Sequence, residues 1–384
     1  MCQAPVAVGL RSSTRNGGGT QVVEASVEEL IVVWEEGDKG ERITALKAIR
    51  RTAPEKAREL VQAVWDTETA ADRAGFMGVM SQGVSLQDES WLEALLDDRS
   101  KQVRAAVTRL LSLIPESGMA ERMAWRVDSW IDRPPARGKK QKDSATIEFM
   151  PPDELDPSAV RDGLQMKSVG GLGPKAELLR GIASRAPLSA WANRGGDAAA
   201  WLDAARKSDW ADALCRGWIE AAALQRHAEW AEAVLLRLLD DATSHDELQR
   251  ARITQLMDAL PRESAERVTL NAVANRGLVE RPRVVEAVLN ACDFGWGEEL
   301  SRAVAGAVRD RLAAKEAVYD TFLRQILRLS AVRIDPSVTE EVGRMWTESQ
   351  DHWSANLGEL VHDAIGTVRL RRDMLAALKN SPAQ

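Results

Sequence analysis

Residues 95–111 read LLDDRSKQVRAAVTRLL. Charge is dense here, yet the apolar residues keep a strict order. Val103, Ala106, Val107, Leu110, Leu111 and Ile114 recur at the spacing of one helix face. Ser100 stands where a side chain caps that helix. The preceding run DESWLEALLDD supplies a partner helix with Trp91, Leu92, Leu95 and Leu96 as its apolar stripe. A hairpin this short cannot bury its apolar face alone, so it must stack on neighbours of its own kind. Asp98 at the turn and Arg104 in the second helix are placed to bond across adjacent turns and fix the stacking angle. The charges of this stretch therefore read as structural.

The same grammar extends along the chain. Runs such as SVEELIVVWEEG, GERITALKAIRR and PEKARELVQAVWD are separated by a few residues, often Gly, Pro, Asp or Thr. Pro54 sits at a helix start, where its missing N–H costs nothing. Ser26 before Glu28 and Glu29, and Ser117 before Glu121, read as caps with acidic first turns. Strand signals are confined to SATIEFMP, residues 144–151. Many helices joined by short connections suit paired antiparallel helices in a row better than one compact bundle. The expected fold is all-α, a HEAT/armadillo-like α-solenoid with a Pro/Lys-rich insertion that holds at most a small hairpin. The expected divisions are a disordered segment 1–25, helical repeats 26–131, an insertion 132–165, and further repeats 166–384.

Composition narrows the function classes. The chain has 384 residues, 45% apolar and 28% charged, with a formal net charge of −7. That balance argues against a whole-surface grip on phosphates. No apolar run is long enough to span a membrane. The N-terminal stretch lacks the pattern of a secretory signal. Three cysteines without a C-x-x-C pair fit a reducing compartment, so a cytoplasmic location is expected. Thirteen tryptophans against four phenylalanines read mainly as packing between helices.

A resemblance adds to this reading. The run GVSLQDESWLEALLDDRSKQVRAAVTRLLSLIPESGMAERM (83–123), RAGFMGVM before it, and GLGPKAELLRGIASRAPLSAW (171–191) are similar to a family of bacterial HEAT-like proteins without an assigned biochemical function. Members are often encoded beside a MoxR-type AAA+ ATPase, a von Willebrand A protein and a SWIM zinc-finger protein. The resemblance implies an adaptor role in such an assembly and carries no catalytic residues to transfer.

In SVGGLGPKAELL, Gly171, Gly173 and Lys175 precede or open a helix, where backbone N–H groups suit an anion. The Walker pattern is absent, and a turn with Pro at the first helical position explains the run equally. Among His227, His245, His352 and His362, only His362 has a metal-like partner, Glu359, and no second Glu-x-x-His exists. The cluster Asp88, Glu89, Glu93, Asp97 and Asp98 reads as capping positions and a solvated helix face. A basic island from Arg122 to Lys142 includes Arg126, Arg133, Arg137, Lys139 and Lys140. The leading expectation is a non-enzymatic adaptor without a cofactor, binding a protein through Trp91, Arg99, Arg104, Arg137, Lys139, Lys140 and Lys142. The alternative is a nucleic-acid-binding protein of the alkylation-repair glycosylase type, gripping phosphates with the basic island.

Overall fold

The structure is a computed structural model that describes residues 25–132, 147–240, 247–274, 277–314, 320–348 and 353–380. The segment 1–25 expected to be disordered therefore lies almost wholly outside the described residues. Two compact units emerge, one running to Asp132 and resuming at Glu148–Trp191, the other beginning at Ala192. Among the described residues no strand forms, only the isolated bridges Ile131–Phe149 and Val169–Leu172. None of the described helices is long and apolar enough to cross a membrane.

The first unit opens with α1 (Val27–Glu36), α2 (Lys39–Thr52), α3 (Pro54–Val64) and α4 (Ala70–Met80). Each start has a chemical cause. Ser26 and Asp38 form reciprocal capping boxes with Glu29 and Glu41, Pro54 occupies the first turn of α3, and Thr69 caps α4. Then come α5 (Glu89–Leu95), α6 (Lys101–Leu111) and α7 (Gly118–Trp130). The expected caps are present: the Ser100 hydroxyl accepts from the Val103 N–H at 3.4 Å, and that of Ser117 from the Ala120 N–H at 3.2 Å. The stripe of α6 is buried at Val103, Val107, Leu110 and Leu111 and extends to Ile114. On α5 and its end Leu92 and Leu96 are buried, whereas Trp91 and Leu95 are half-buried. α2 packs against α4 and α4 against α6, with α3 and α5 packed alongside them.

The insertion does more than link. After Trp130 the chain leaves and returns through a two-bond pairing: Asp132 N–H donates to Glu148 O at 2.9 Å and Met150 N–H to Trp130 O at 2.8 Å. Of the expected small hairpin only this bridge is described; residues 133–146 lie outside the described residues. Next come α8 (Pro157–Arg161), α9 (Pro174–Arg185) and α10 (Leu188–Ala192). Residues 148–165 pack with α5 and α7 as part of the first unit, which runs on to Trp191.

The second unit consists of α11 (Ala198–Arg206), α12 (Ala211–Leu224), α13 (Ala228–Asp240), α14 (Glu247–Met257), α15 (Arg262–Val273), α16 (Gly277–Glu280), α17 (Pro282–Ala291), α18 (Glu298–Leu312), α19 (Thr321–Arg333), α20 (Thr339–Thr347) and α21 (Ala355–Asn380). Its contacts fall into two successions. α11, α13, α15, α18 and α20 each pack on the next, and so do α12, α14, α17, α19 and α21. Tryptophan fills much of this core. Trp201, Trp218 and Trp230 form a chain of tilted and edge contacts with ring centroids 6.4 and 5.3 Å apart. The Trp346 indole N–H donates to Ala305 O at 3.1 Å. Of the thirteen tryptophans only Trp125 is exposed, so packing is the general role of this residue type here.

Cys292 follows α17 with no accessible surface, and its Sγ lies 3.0 Å from Thr269 Oγ1. Burial pushes the thiol up to about 11, and the Thr269 contact recovers only part of that rise. At pH 8 its thiolate fraction is on the order of one in a thousand. Iodoacetamide labelling read by peptide mass spectrometry is therefore expected to spare Cys292 until urea unfolds the chain. Labelling of the native protein at the rate of a free cysteine would contradict this packing.

Candidate functional site

The hairpin that decides the fold turns its charges to architecture. The Asp98 carboxylate accepts from Arg73 of α4 at 3.2 Å and from the Ser100 N–H at 2.7 Å. Arg104 reaches the Asp98 carbonyl, not its carboxylate, at 2.6 Å. Asp98 thus ties α6 to α4 while Arg104 staples the turn. Trp91 meets Trp65 edge-on with centroids 5.7 Å apart, and Arg73 lies over the Trp65 ring at 5.5 Å. Arg99 is exposed.

Most of the acidic cluster is engaged by partners, although Asp97 stays exposed. Asp88 accepts from Arg50 at 2.6 Å and Arg58 at 2.9 Å, Glu89 from the Gly118 N–H at 2.6 Å, and Glu93 from Arg122 and Arg161 at 2.9 Å each. Asp97 is held by Arg161 at 3.0 Å. Burial raises the Asp88 carboxyl, but bonds from Arg50 and Arg58 outweigh it and hold the group below the usual carboxylate range. Asp97, hydrogen-bonded by Arg161, is held low as well. The first two cations of the basic island turn inward. Arg122 and Arg126 both bind Asp162, at 2.6 and 2.7 Å, and Arg126 also donates to Ser158 at 2.9 Å. Arg137, Lys139, Lys140 and Lys142 lie outside the described residues.

The glycine-rich run forms a tight turn. Gly170 and Gly171 adopt φ of 56° and 84°, in the left-handed region that favours glycine. Val169 and Leu172 exchange backbone bonds at 3.2 and 2.9 Å across it. Gly173 then caps α9, Pro174 takes the first helical position, and Lys175 points to solvent. His362 Nδ1 contacts Gly358 O at 2.7 Å, one turn back on α21. His227 is half-buried after α12, while His245 and His352 lie outside the described residues. Among the described residues no group of His, Cys, Asp and Glu is placed to hold a metal.

The concavity that sequence reading missed lies between α15 and α18, with a volume of about 720 Å³. The short α16 packs against both helices, and its buried Leu278 reaches the groove. The floor is small and apolar: Leu270 and Ala274 from α15 and its end, Ala303, Gly306 and Ala307 from α18. A Cβ built on Gly306 meets nothing within 4 Å, so this glycine faces open space. Arginines line the walls. Arg267 grips Glu232 of α13 through two bonds of 2.7 Å; Arg302 bonds Glu341 of α20 at 2.9 Å and Glu298 at 3.1 Å. Arg309 pairs with its neighbour Asp310 at 2.7 Å. The first two pairs link consecutive helices of one succession. All three side chains remain 40–62% exposed.

Comparison with known proteins adds one assignment. A profile described as a family of unknown function, DUF5691, matches residues 10–378. The chain belongs to that family. The match spans residues of both units. No curated protein and no solved structure matches.

Proposed function

We propose that this DUF5691 member is a non-enzymatic binding scaffold, a stacked helical-repeat array whose α15–α18 groove receives a segment of a protein partner. The observation carrying the proposal is the groove itself: an apolar floor, open space above Gly306, and arginines on both walls. The two successions of packed helices support the repeat reading, because stacked hairpins require each helix to meet its counterpart in the next pair. An AAA+ ATPase, a von Willebrand A protein or a SWIM zinc-finger protein is the partner class implied by the resemblance, with action in the cytoplasm. The nucleic-acid alternative is weakened because Arg122 and Arg126 are engaged with Asp162.

Gly306→Trp tests the reading. Since a Cβ there meets nothing within 4 Å and the space beyond it is the groove, the variant is expected to keep the wild-type melting temperature while filling the groove. A photo-crosslinking residue at position 303 is expected to capture a protein in the native host, and the Gly306→Trp background to abolish that capture. Identical capture in both backgrounds, or none in either, would count against the groove as the binding site.

A further inference from the structure

We propose that the groove selects an amphipathic α-helix bearing carboxylates two turns apart, with small apolar residues between them. This rests on the binding reading above and names the chemistry of the occupant. Arg302 and Arg309 lie seven residues apart on α18, two turns or about 10 Å along one face. Ala303 and Gly306 lie between them on the floor, where a small apolar side chain of an incoming helix fits. Arg267 stands on the opposite wall.

Each guanidinium has donors to give. Arg267, Arg302 and Arg309 bond their present partners through Nε and Nη2, and among the described residues their Nη1 groups have no polar partner. The partners of Arg302 and Arg309, namely Glu298, Glu341 and Asp310, are themselves 35–58% exposed, whereas Glu232, held by Arg267 through two bonds, is 20% exposed and stays in place. Exposed pairs are weak, so an incoming carboxylate can share or displace them at little cost. Arginine suits this task because its fork binds a carboxylate through two bonds. The groove also carries Glu299 and Asp310. These repel a uniformly anionic polymer but accept a lysine or arginine of a peptide. An apolar floor and a mixed-sign wall therefore fit a polypeptide rather than a phosphate backbone. A helix laid between two helices presents residues at i, i+3, i+4 and i+7, which is the spacing α18 offers.

A phage library of helix-constrained peptides, panned against the full-length protein and counter-selected on Gly306→Trp, tests the proposal. Enriched clones are expected to carry Asp or Glu seven residues apart around Ala, Gly or Leu. The best clone is expected to lose at least ten-fold in affinity against Arg302→Glu/Arg309→Glu, with the fold checked by circular dichroism. Replacing its two acidic residues by lysine is expected to restore binding to that double variant and to abolish binding to the wild type. Enrichment of basic or unpatterned clones, no enrichment, or no charge-swap rescue would overturn it. If the peptides fail while crosslinking at position 303 stays Gly306-dependent, the occupant's chemistry is wrong and the binding groove stands. If both fail, the groove falls too.

Discussion

Asp162→Ala is expected to destabilise the first unit by about 3–5 kcal/mol, the range for breaking a buried ion pair from one side. Asp162 has 1% of its side chain exposed and accepts from two arginines. Arg122 also holds Glu93 and is one-third exposed, so it can turn to water when the carboxylate is lost. Arg126 cannot. Its side chain is 2% exposed, and it would keep only Ser158 and a long contact to Met123 Sδ at 3.7 Å. The cost therefore arises from one stranded guanidinium. Removing both charges with Arg126→Met and Asp162→Leu is expected to be far milder, because well-packed apolar groups replace a buried pair at little loss. Urea unfolding followed by circular dichroism, with hydrogen exchange on α7 and α8, reads both variants. A loss below about 1 kcal/mol for Asp162→Ala would show that Arg126 is not stranded by the loss of the carboxylate and would overturn the assigned cause.

Asp88→Ala is expected to cost about 3 kcal/mol and to do so in a pH-dependent manner. Arg50, 1% exposed, is held by Asp88 and by the carbonyls of Gln82, Pro54 and Gly83 at 2.8–3.1 Å. Those carbonyls soften the loss of the carboxylate but do not neutralise the charge. The folded Asp88 carboxyl lies below its ordinary value of about 4. Such a group binds fewer protons folded than unfolded, so its contribution is complete above about pH 4 and disappears as pH falls through the folded value. The gap in stability between wild type and Asp88→Ala is thus expected to be constant near neutrality and to close below pH 4. Urea midpoints between pH 7 and pH 2.5 check it, and a gap that widens in acid would reverse the assigned sign.

Local chemistry was legible because its partners are close in sequence. Ser26, Ser100 and Ser117 cap what they precede, Pro54 opens its helix, and Val103, Val107, Leu110, Leu111 and Ile114 face inward. The carboxylates of residues 88–98 looked solvated because their cations lie 25–68 residues away, at Arg50, Arg73, Arg122 and Arg161. Charge counting likewise merged Arg122 and Arg126 with the lysines that follow, since a helix face and a loop look alike in a tally of sign. The groove was invisible for a further reason. Its walls are single faces of two helices about thirty residues apart, and Leu278 of its lining sits on the four-residue α16, too short to register as a period. The Gly306 that opens it reads in sequence as one more weak point in a helix.

The clasp of α8 on α5 also bears on the order of assembly. Arg161 reaches Glu93 and Asp97 across 68 and 64 residues, whereas Arg73–Asp98, Arg50–Asp88 and Arg281–Leu239 span 25, 38 and 42. Ring closure in a flexible chain becomes entropically dearer as the loop lengthens, and contacts distant along the backbone come late. Neighbouring helix pairs are therefore expected to zip first and the returning segment with Asp162 to lock them afterwards, as a latch on a frame already standing, an order that pulsed hydrogen exchange on α4, α6 and α8 checks.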